Sequence, residues 1–202
     1  MKNLKEYINE GIFDTDENIN NVDESIKDQI ERFLKDNFDG ASSCKISDKP
    51  STDGGKYEVS SIGNVEVKKT NITSLTNDMF IWTEVAGDFY CHSCHSLTSL
   101  KGAPKEVGGR FDCSNCTSLT SLKGAPKRVK YFDCSGCKSL KSLDGAPKEV
   151  GGDFSCGYCH SLTSLKGAPK EVGGVFSCYS CKIEFTEEDV KKVSNVKRMI
   201  SV

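Results

Sequence analysis

The sequence predicts a repeat solenoid of the α/β class, mostly β and loop. Short parallel strands are expected to stack into an array between an N-terminal amphipathic helix and a C-terminal helix-strand cap. Three observations predict it. Cysteine pairs two residues apart fall at Cys91/Cys94, Cys113/Cys116, Cys134/Cys137, Cys156/Cys159 and Cys178/Cys181, stepping by 22, 21, 22 and 22 residues. A phenylalanine stands two positions before each pair, at Phe89, Phe111, Phe132, Phe154 and Phe176. Between the pairs runs one recurring phrase, "SLTSLKGAPKEVGG". A fixed period of this length marks stacked supersecondary units, none of which can bury its apolar face alone.

The unit reads V-G-G-x-F-x-C-x-x-C-x-S-L-x-S-L-x-G-A-P-K. The third copy has "VKYFDC" where the others have V-G-G-x-F, so the short step is the loss of one residue from a Gly-Gly bulge. From Val129 to Leu143 the pattern V-x-x-F-x-C-x-x-C-x-x-L-x-x-L resembles the leucine-rich repeat, L-x-x-L-x-L-x-x-N/C-x-L. The G-A-P-K-x-V-G-G variant is similar to arrays found in tailed-phage proteins. The resemblance covers residues 63–202.

That resemblance implies a role for each position. Phe132-Asp133-Cys134 forms a short strand whose alternation buries Phe132 and Cys134 and turns Asp133 to a concave, solvent-facing side. The second cysteine of each pair, Cys94, Cys116, Cys137, Cys159 or Cys181, takes the ladder position and satisfies backbone groups of the neighbouring coil. Leu140 and Leu143 fill the core, Gly145 makes a left-handed turn and Pro147 fixes a bend. The concave column then displays the residues that vary between repeats. Tyr90, His92, Arg110, Asp112, Tyr131, Asp133, Asp153 and Tyr179 are its candidate partner-binding residues, aromatics and arginine beside acids, as in protein-binding faces.

The cysteines admit other chemistry. "CHSCH", Cys91 to His95, has the spacing of covalent haem attachment, and C-x-x-C is half of a zinc site. Position 95, however, is filled by Thr117, Lys138 and Lys182 in sibling repeats and by histidine only at His95 and His160. Five knuckles are an odd number for zinc sites built in pairs, and they keep strict register with Phe and Leu. Structural thiols are therefore expected, with no metal and no cofactor; a zinc-binding or redox protein using the C-x-x-C pairs is the alternative. A further alternative is a nucleic-acid or anionic-surface binder using Lys105, Lys127, Lys148 and Lys170, which the repeat places on the convex side.

The flanks differ from the array. The chain divides into a leader (1–10), an amphipathic helix with a flexible linker (11–55), a strand cap with a degenerate first repeat (56–86), the repeats (87–182) and a C-terminal cap (183–202). In the helix, Ile26, Ile30, Phe33, Leu34 and Phe38 share a face, with Asp23 expected to cap and Gly40 to stop it. That face is expected to pack on the solenoid or a partner copy, loosely tethered through "GASSCKISDKPSTDGG", where Cys44 is a lone exposed thiol. "KYEVS" reads as an outer strand, and "NVEVKKTNITSL" sets Val65, Val67, Ile72 and Leu75 in core positions. Thr186 and Asp189 form a capping box for a short helix, and "RMISV" alternates as a last strand.

Composition is that of an ordinary soluble protein: 202 residues, net charge −2 and 28% charged. There is no membrane-spanning apolar run and no secretory h-region, and the concave column holds more Asp than Lys or Arg, so neither membrane nor nucleic acid is the expected partner. The residues show no Ser/His/Asp set, no paired carboxylates in a cleft and no phosphate loop, so no enzyme is expected. The start "MKNLKEYINEG" resembles the capsid-targeting leader of tailed-phage internal head proteins, which implies proteolytic processing between Glu10 and Gly11. The resemblance implies a protein of the infected bacterial cytoplasm or of the virion head, acting on a host or virion protein. Nothing in the sequence specifies an oligomeric state.

Overall fold

The computed structural model describes residues 16–51 and 55–202. A helix, α1 (Asp16–Asn37), leads into β1 (Phe38–Asp39), a 3-10 turn (Ala41–Ser43), β2 (Cys44–Ile46), β3 (Tyr57–Ser61), β4 (Val65–Val67) and β5 (Phe80–Val85). The repeats supply β6 (Phe89–Tyr90), β7 (Glu106–Asp112), β8 (Arg128–Asp133), β9 (Glu149–Val150), β10 (Phe154–Ser155), β11 (Glu171–Val172) and β12 (Val175–Ser177). A short helix, α2 (Glu187–Lys191), and strands β13 (Asn195–Val196) and β14 (Met199–Ser201) complete the chain.

These strands form a parallel solenoid of about seven turns. One ladder sets Val65, Phe89, Phe111, Phe132, Phe154, Phe176 and Ile200 side by side. The other aligns Val85, Val107, Val129, Val150, Val172 and Val196. Among the described residues the helices lie only at the two ends. The coils close their return with two turns instead, so the class is mostly β rather than α/β. The first turn runs from the second cysteine to the following leucine, as in Leu140 N–H to Cys137 O at 3.0 Å; the second runs from leucine to alanine, as in Ala146 N–H to Leu143 O at 3.0 Å. Gly145 stands in that second turn at φ 96°, where a Cβ would be strained.

The Gly-Gly pair is a bulge. Between β7 and β8 the register slips by one residue, from Val107↔Val129 to Arg110↔Tyr131, because β8 lacks the extra glycine. A Cβ on Gly108 would run into the Ala86 carbonyl, and one on Gly109 into the Asp88 carboxylate, so adjoining coils approach too closely there for a side chain.

The core is a set of rows, each one residue type deep. Rings of Phe89, Phe111 and Phe132 stack at 5.5 Å with interplanar angles of 6° and 8°, and Phe154 continues the stack at 5.7 Å and 9°. Leu97, Leu119, Leu140 and Leu162 form a second fully buried row, and Leu100, Leu122, Leu143 and Leu165 a third.

The N-terminal segment departs from the loose tether expected of it. The helix begins by Asp16, so Asp23 lies inside it and is not its cap. Ile30, Leu34 and Phe38 are buried at the solenoid's end. The Phe38 ring sits edge-on to Trp82 at 5.4 Å and 6.3 Å from Phe89. Phe38, expected on the helix face, begins β1, which pairs antiparallel with β4. The expected linker is also partly sheet: β2 pairs antiparallel with β3, and Cys44 is half-buried rather than exposed. Local pattern hid these strands because each is short and has a single partner. Tyr57, Val59, Phe80 and Trp82 fill the layer between α1 and the first coil, and Trp82 Nε1 donates to the Leu75 carbonyl at 2.9 Å. Val65 and Leu75 are buried, while Val67 and Ile72 are half-buried. At the other end Thr186 and Asp189 make the reciprocal capping box of α2.

A truncation within the phenylalanine row leaves a void that neighbours on both sides cannot fill. Phe132→Ala is expected to cost about 3–5 kcal/mol in urea unfolding, against about 0.5 kcal/mol or less for the exposed Lys127→Ala. Equal midpoints for the two variants would overturn the stacked-row account of stability.

Candidate functional site

The C-x-x-C segment is a turn, and its sulfurs serve the backbone. Cys116 Sγ donates to the Cys91 carbonyl of the preceding coil at 3.1 Å. Cys137, Cys159 and Cys181 donate in the same way to Cys113, Cys134 and Cys156, each at 3.3 Å. Cys94, with no cysteine in the coil before it, points at the Lys69 carbonyl 3.9 Å away. First cysteines face the other direction: Cys113 and Cys134 donate to the Asp133 and Ser155 carbonyls of the following coil at 3.3 and 3.4 Å. Among the described residues no three His, Cys, Asp or Glu side chains are grouped to hold a metal ion.

The residue before each second cysteine is left-handed. Ser93, Asn115, Gly136, Tyr158 and Ser180 have φ between 54° and 70°. The first four donate their N–H to the next coil, as in Asn115 to Ser135 O at 2.7 Å and Tyr158 to Tyr179 O at 2.9 Å.

Outside this buried wall lie three rows of the concave column, two residues apart along each strand. Tyr90, half-buried, donates its hydroxyl to Asp88 Oδ2 at 2.8 Å, a bond that raises the tyrosine's pKa. Its ring meets that of exposed His92 edge-on at 6.4 Å, and His92 Nε2 lies 3.9 Å from Glu66 Oε1. Arg110 lies over the Tyr131 ring at 5.6 Å and places Nη1 3.7 Å from Asp133 Oδ2. Asp112 and Asp133 each accept from the backbone two residues on, Ser114 N–H and Ser135 N–H, both at 2.9 Å, which leaves their second oxygen outward. Tyr90, His92, Arg110, Asp112, Tyr131 and Asp133 therefore form one continuous patch across coils that are adjacent in the ladder.

Asp153 stands next to Tyr131 in the ladder but its carboxylate is engaged with the backbone, and Tyr179 lies in the last repeat coil. Asp153 Oδ1 accepts the Val175 N–H of the next coil at 2.8 Å, as Asp88 Oδ1 does from Arg110 N–H at 2.7 Å, so these carboxylates clamp the bulge. Tyr179 pairs edge-on with Tyr158 at 5.0 Å, and both are exposed. Tyr158 was not expected as a surface aromatic. The signal was present: its position is filled elsewhere by Ser, Asn or Gly, residues that suit a left-handed turn, so a tyrosine there departs from the row. The processing pair Glu10 and Gly11 lies outside the described residues.

On the other surface Lys105, Lys127, Lys148 and Lys170 are exposed, but Glu106, Glu149 and Glu171 follow directly in the neighbouring row, and Arg128 pairs with Glu106 through both carboxylate oxygens at 2.7 and 2.8 Å. Such a mixed face lacks the single-sign field of a polyanion track. No helix among the described residues is long and apolar enough to cross a membrane. The chain matches no protein-family model, no curated protein and no solved structure.

Burial raises the thiol pKa well above the usual range at Cys91, Cys113, Cys134 and Cys156 and to about 12 at Cys178. In the unfolded chain thiols ionise near pH 8.5, so this contribution to stability is whole below that pH and is lost as pH rises toward the folded values. Stability in urea is expected to be flat from pH 6 to 8 and to fall steeply between about 9 and 11, by roughly 1.4 kcal/mol per pH unit for each of these five thiols. A flat profile through pH 11 would refute buried, protonated sulfurs.

Proposed function

We propose that this protein is a non-catalytic repeat scaffold of the leucine-rich-repeat type that binds a protein partner through its concave column. One observation carries the proposal. The continuous patch of Tyr90, His92, Arg110, Asp112, Tyr131 and Asp133 is solvent-facing, and its side chains are already held in place, Arg110 by Tyr131 and Asp133, Tyr90 by Asp88 and His92, and Asp112 by the backbone. A face pre-ordered in this way loses little side-chain entropy on binding, and tyrosine and arginine are the residue types that dominate protein contacts. The patch offers both signs of charge beside aromatic rings, which suits a folded protein surface better than a uniform polyanion.

The resemblance of the repeats and of the leader to tailed-phage proteins supports a phage-encoded chain that works in the infected bacterial cytoplasm or is packaged in the virion head. The partner is then a host or virion protein. Zinc or redox chemistry at the C-x-x-C pairs is less well supported, because each ladder sulfur is already engaged with a backbone carbonyl.

Two measurements test this proposal. Immobilised wild-type chain is expected to capture a discrete partner from phage-infected cells, with capture reduced about tenfold or more by Arg110→Ala combined with Tyr131→Ala at unchanged circular dichroism. Full capture by the double variant would reject the patch. Intact mass of the protein recovered from virions should match a chain beginning at Gly11, and a chain absent from virions would reject packaging.

A further inference from the structure

The two ends of the solenoid are finished differently. At the N-terminal end α1, Phe38 and Trp82 close the core. At the C-terminal end β13 and β14 each pair with a strand on one side only. In the inner coils the N–H of the phenylalanine and of the first cysteine donates forward, as in Phe132 to Asp153 O at 3.0 Å, Cys134 to Ser155 O at 2.9 Å and Cys178 to Ser201 O at 2.8 Å. Ile200 is in register with Phe176, so Ile200 and Val202 hold the same two positions in the last coil, and that pattern aims their N–H groups beyond the final strand.

We propose that this edge docks an extended acidic segment of a partner protein, added to the array as one further strand. Three observations favour that occupant. First, Met199 and Val202 are 58% and 48% exposed and Ile200 is half-buried beside them, an apolar edge that alternate side chains of an added strand would cover. Second, a groove of about 470 Å³ flanks β13, lined by Lys170, Lys191, Lys192, Ser194, Asn195 and Ile200 among others, and the carboxylates beside it are already engaged, Glu171 with the Asn195 amide, Glu187 with Lys191 and Asp189 with Lys192. The Ser194 hydroxyl in that wall is buried and has no hydrogen-bond partner. Third, the segment 195–202 carries Lys197 and Arg198 and no acid. Among the described residues neither of these, nor Lys170, has an ion-pair partner, whereas Lys191 and Lys192 are paired with Glu187 and Asp189.

A second copy of this chain fits less well. The edge strand of a second copy brings no Asp or Glu to Lys197 and Arg198, and head-to-tail stacking meets the closed N-terminal end. A strand bearing carboxylates neutralises the edge cations and supplies carbonyls to the forward N–H groups.

The test uses the full-length chain and a fluorescein-labelled octapeptide of alternating Glu and Val, read by anisotropy. The acidic peptide is expected to bind, with affinity falling as salt rises, while the same peptide with Lys in place of Glu does not. Lys197→Glu combined with Arg198→Glu should weaken binding about tenfold or more, and backbone N-methylation of the peptide along one edge should do likewise with the wild-type chain. Asp133→Asn, in the concave patch, should leave it unchanged, which separates this edge from the face proposed above. Binding of neither peptide, equal binding of both, indifference to charge reversal or to N-methylation, or concentration-dependent dimers in light scattering would each overturn the proposal.

Discussion

Everything in this fold depends on one constraint, that each turn repeats the last with like residues in register. An isolated coil of this length would expose its Phe, Leu and Val side chains and leave its short strands without partners. Stacked, each coil hands its backbone donors forward and receives its neighbour's, so polar satisfaction and apolar burial are achieved by the same superposition. The cysteines serve that end directly. A thiol is small enough to lie within the wall, apolar enough to be buried, and still able to donate weakly to a carbonyl that the turn would otherwise leave unpaired.

The concave column inherits its order from this constraint. Positions that face outward are free to vary, yet they are carried on strands whose spacing is fixed by the ladders. Arg110 meets Tyr131 and Asp133 because consecutive coils align those rows, although the residues are more than twenty positions apart in the chain. The bulge adds a local demand. Beside the Gly-Gly bulges at 108–109 and 173–174 an acid of the preceding coil, Asp88 or Asp153, accepts the N–H that follows the extra residue, so Asp153, which looked available to a partner, is in part committed to the backbone.

What was legible in the sequence was what recurs. Five copies of F-x-C-x-x-C and four of the phrase between them fixed the Phe, Cys and Leu rows, the turn glycines and the missing bulge residue of the third coil, because a repeated position reports its environment several times over. The one-off elements were not legible to the same degree. The helix face Ile30, Leu34 and Phe38 was visible by its spacing, but its burial on Trp82 and Phe80 depends on contacts across some fifty residues. Strand β2 is three residues long and sits in a stretch whose composition reads as linker, and the two-residue β1 begins at Phe38, which helical spacing assigns to the helix. Of the concave residues, six share one patch, while the Asp153 carboxylate beside it takes the Val175 N–H and Tyr179 pairs with Tyr158, since sequence gives the row a residue occupies but not which neighbour claims its side chain.

The Gly-Gly bulge and the sealed N-terminal layer together make the inner coils interchangeable. A coil begins and ends at the same point of the cross-section, so unequal recombination that adds or drops one unit of the gene leaves every ladder aligned and both termini intact. The platform would lengthen or shorten by about 4.8 Å each time. Variation in copy number thus offers a route by which reach across a target surface changes in discrete steps, without any alteration to the chemistry of a single coil.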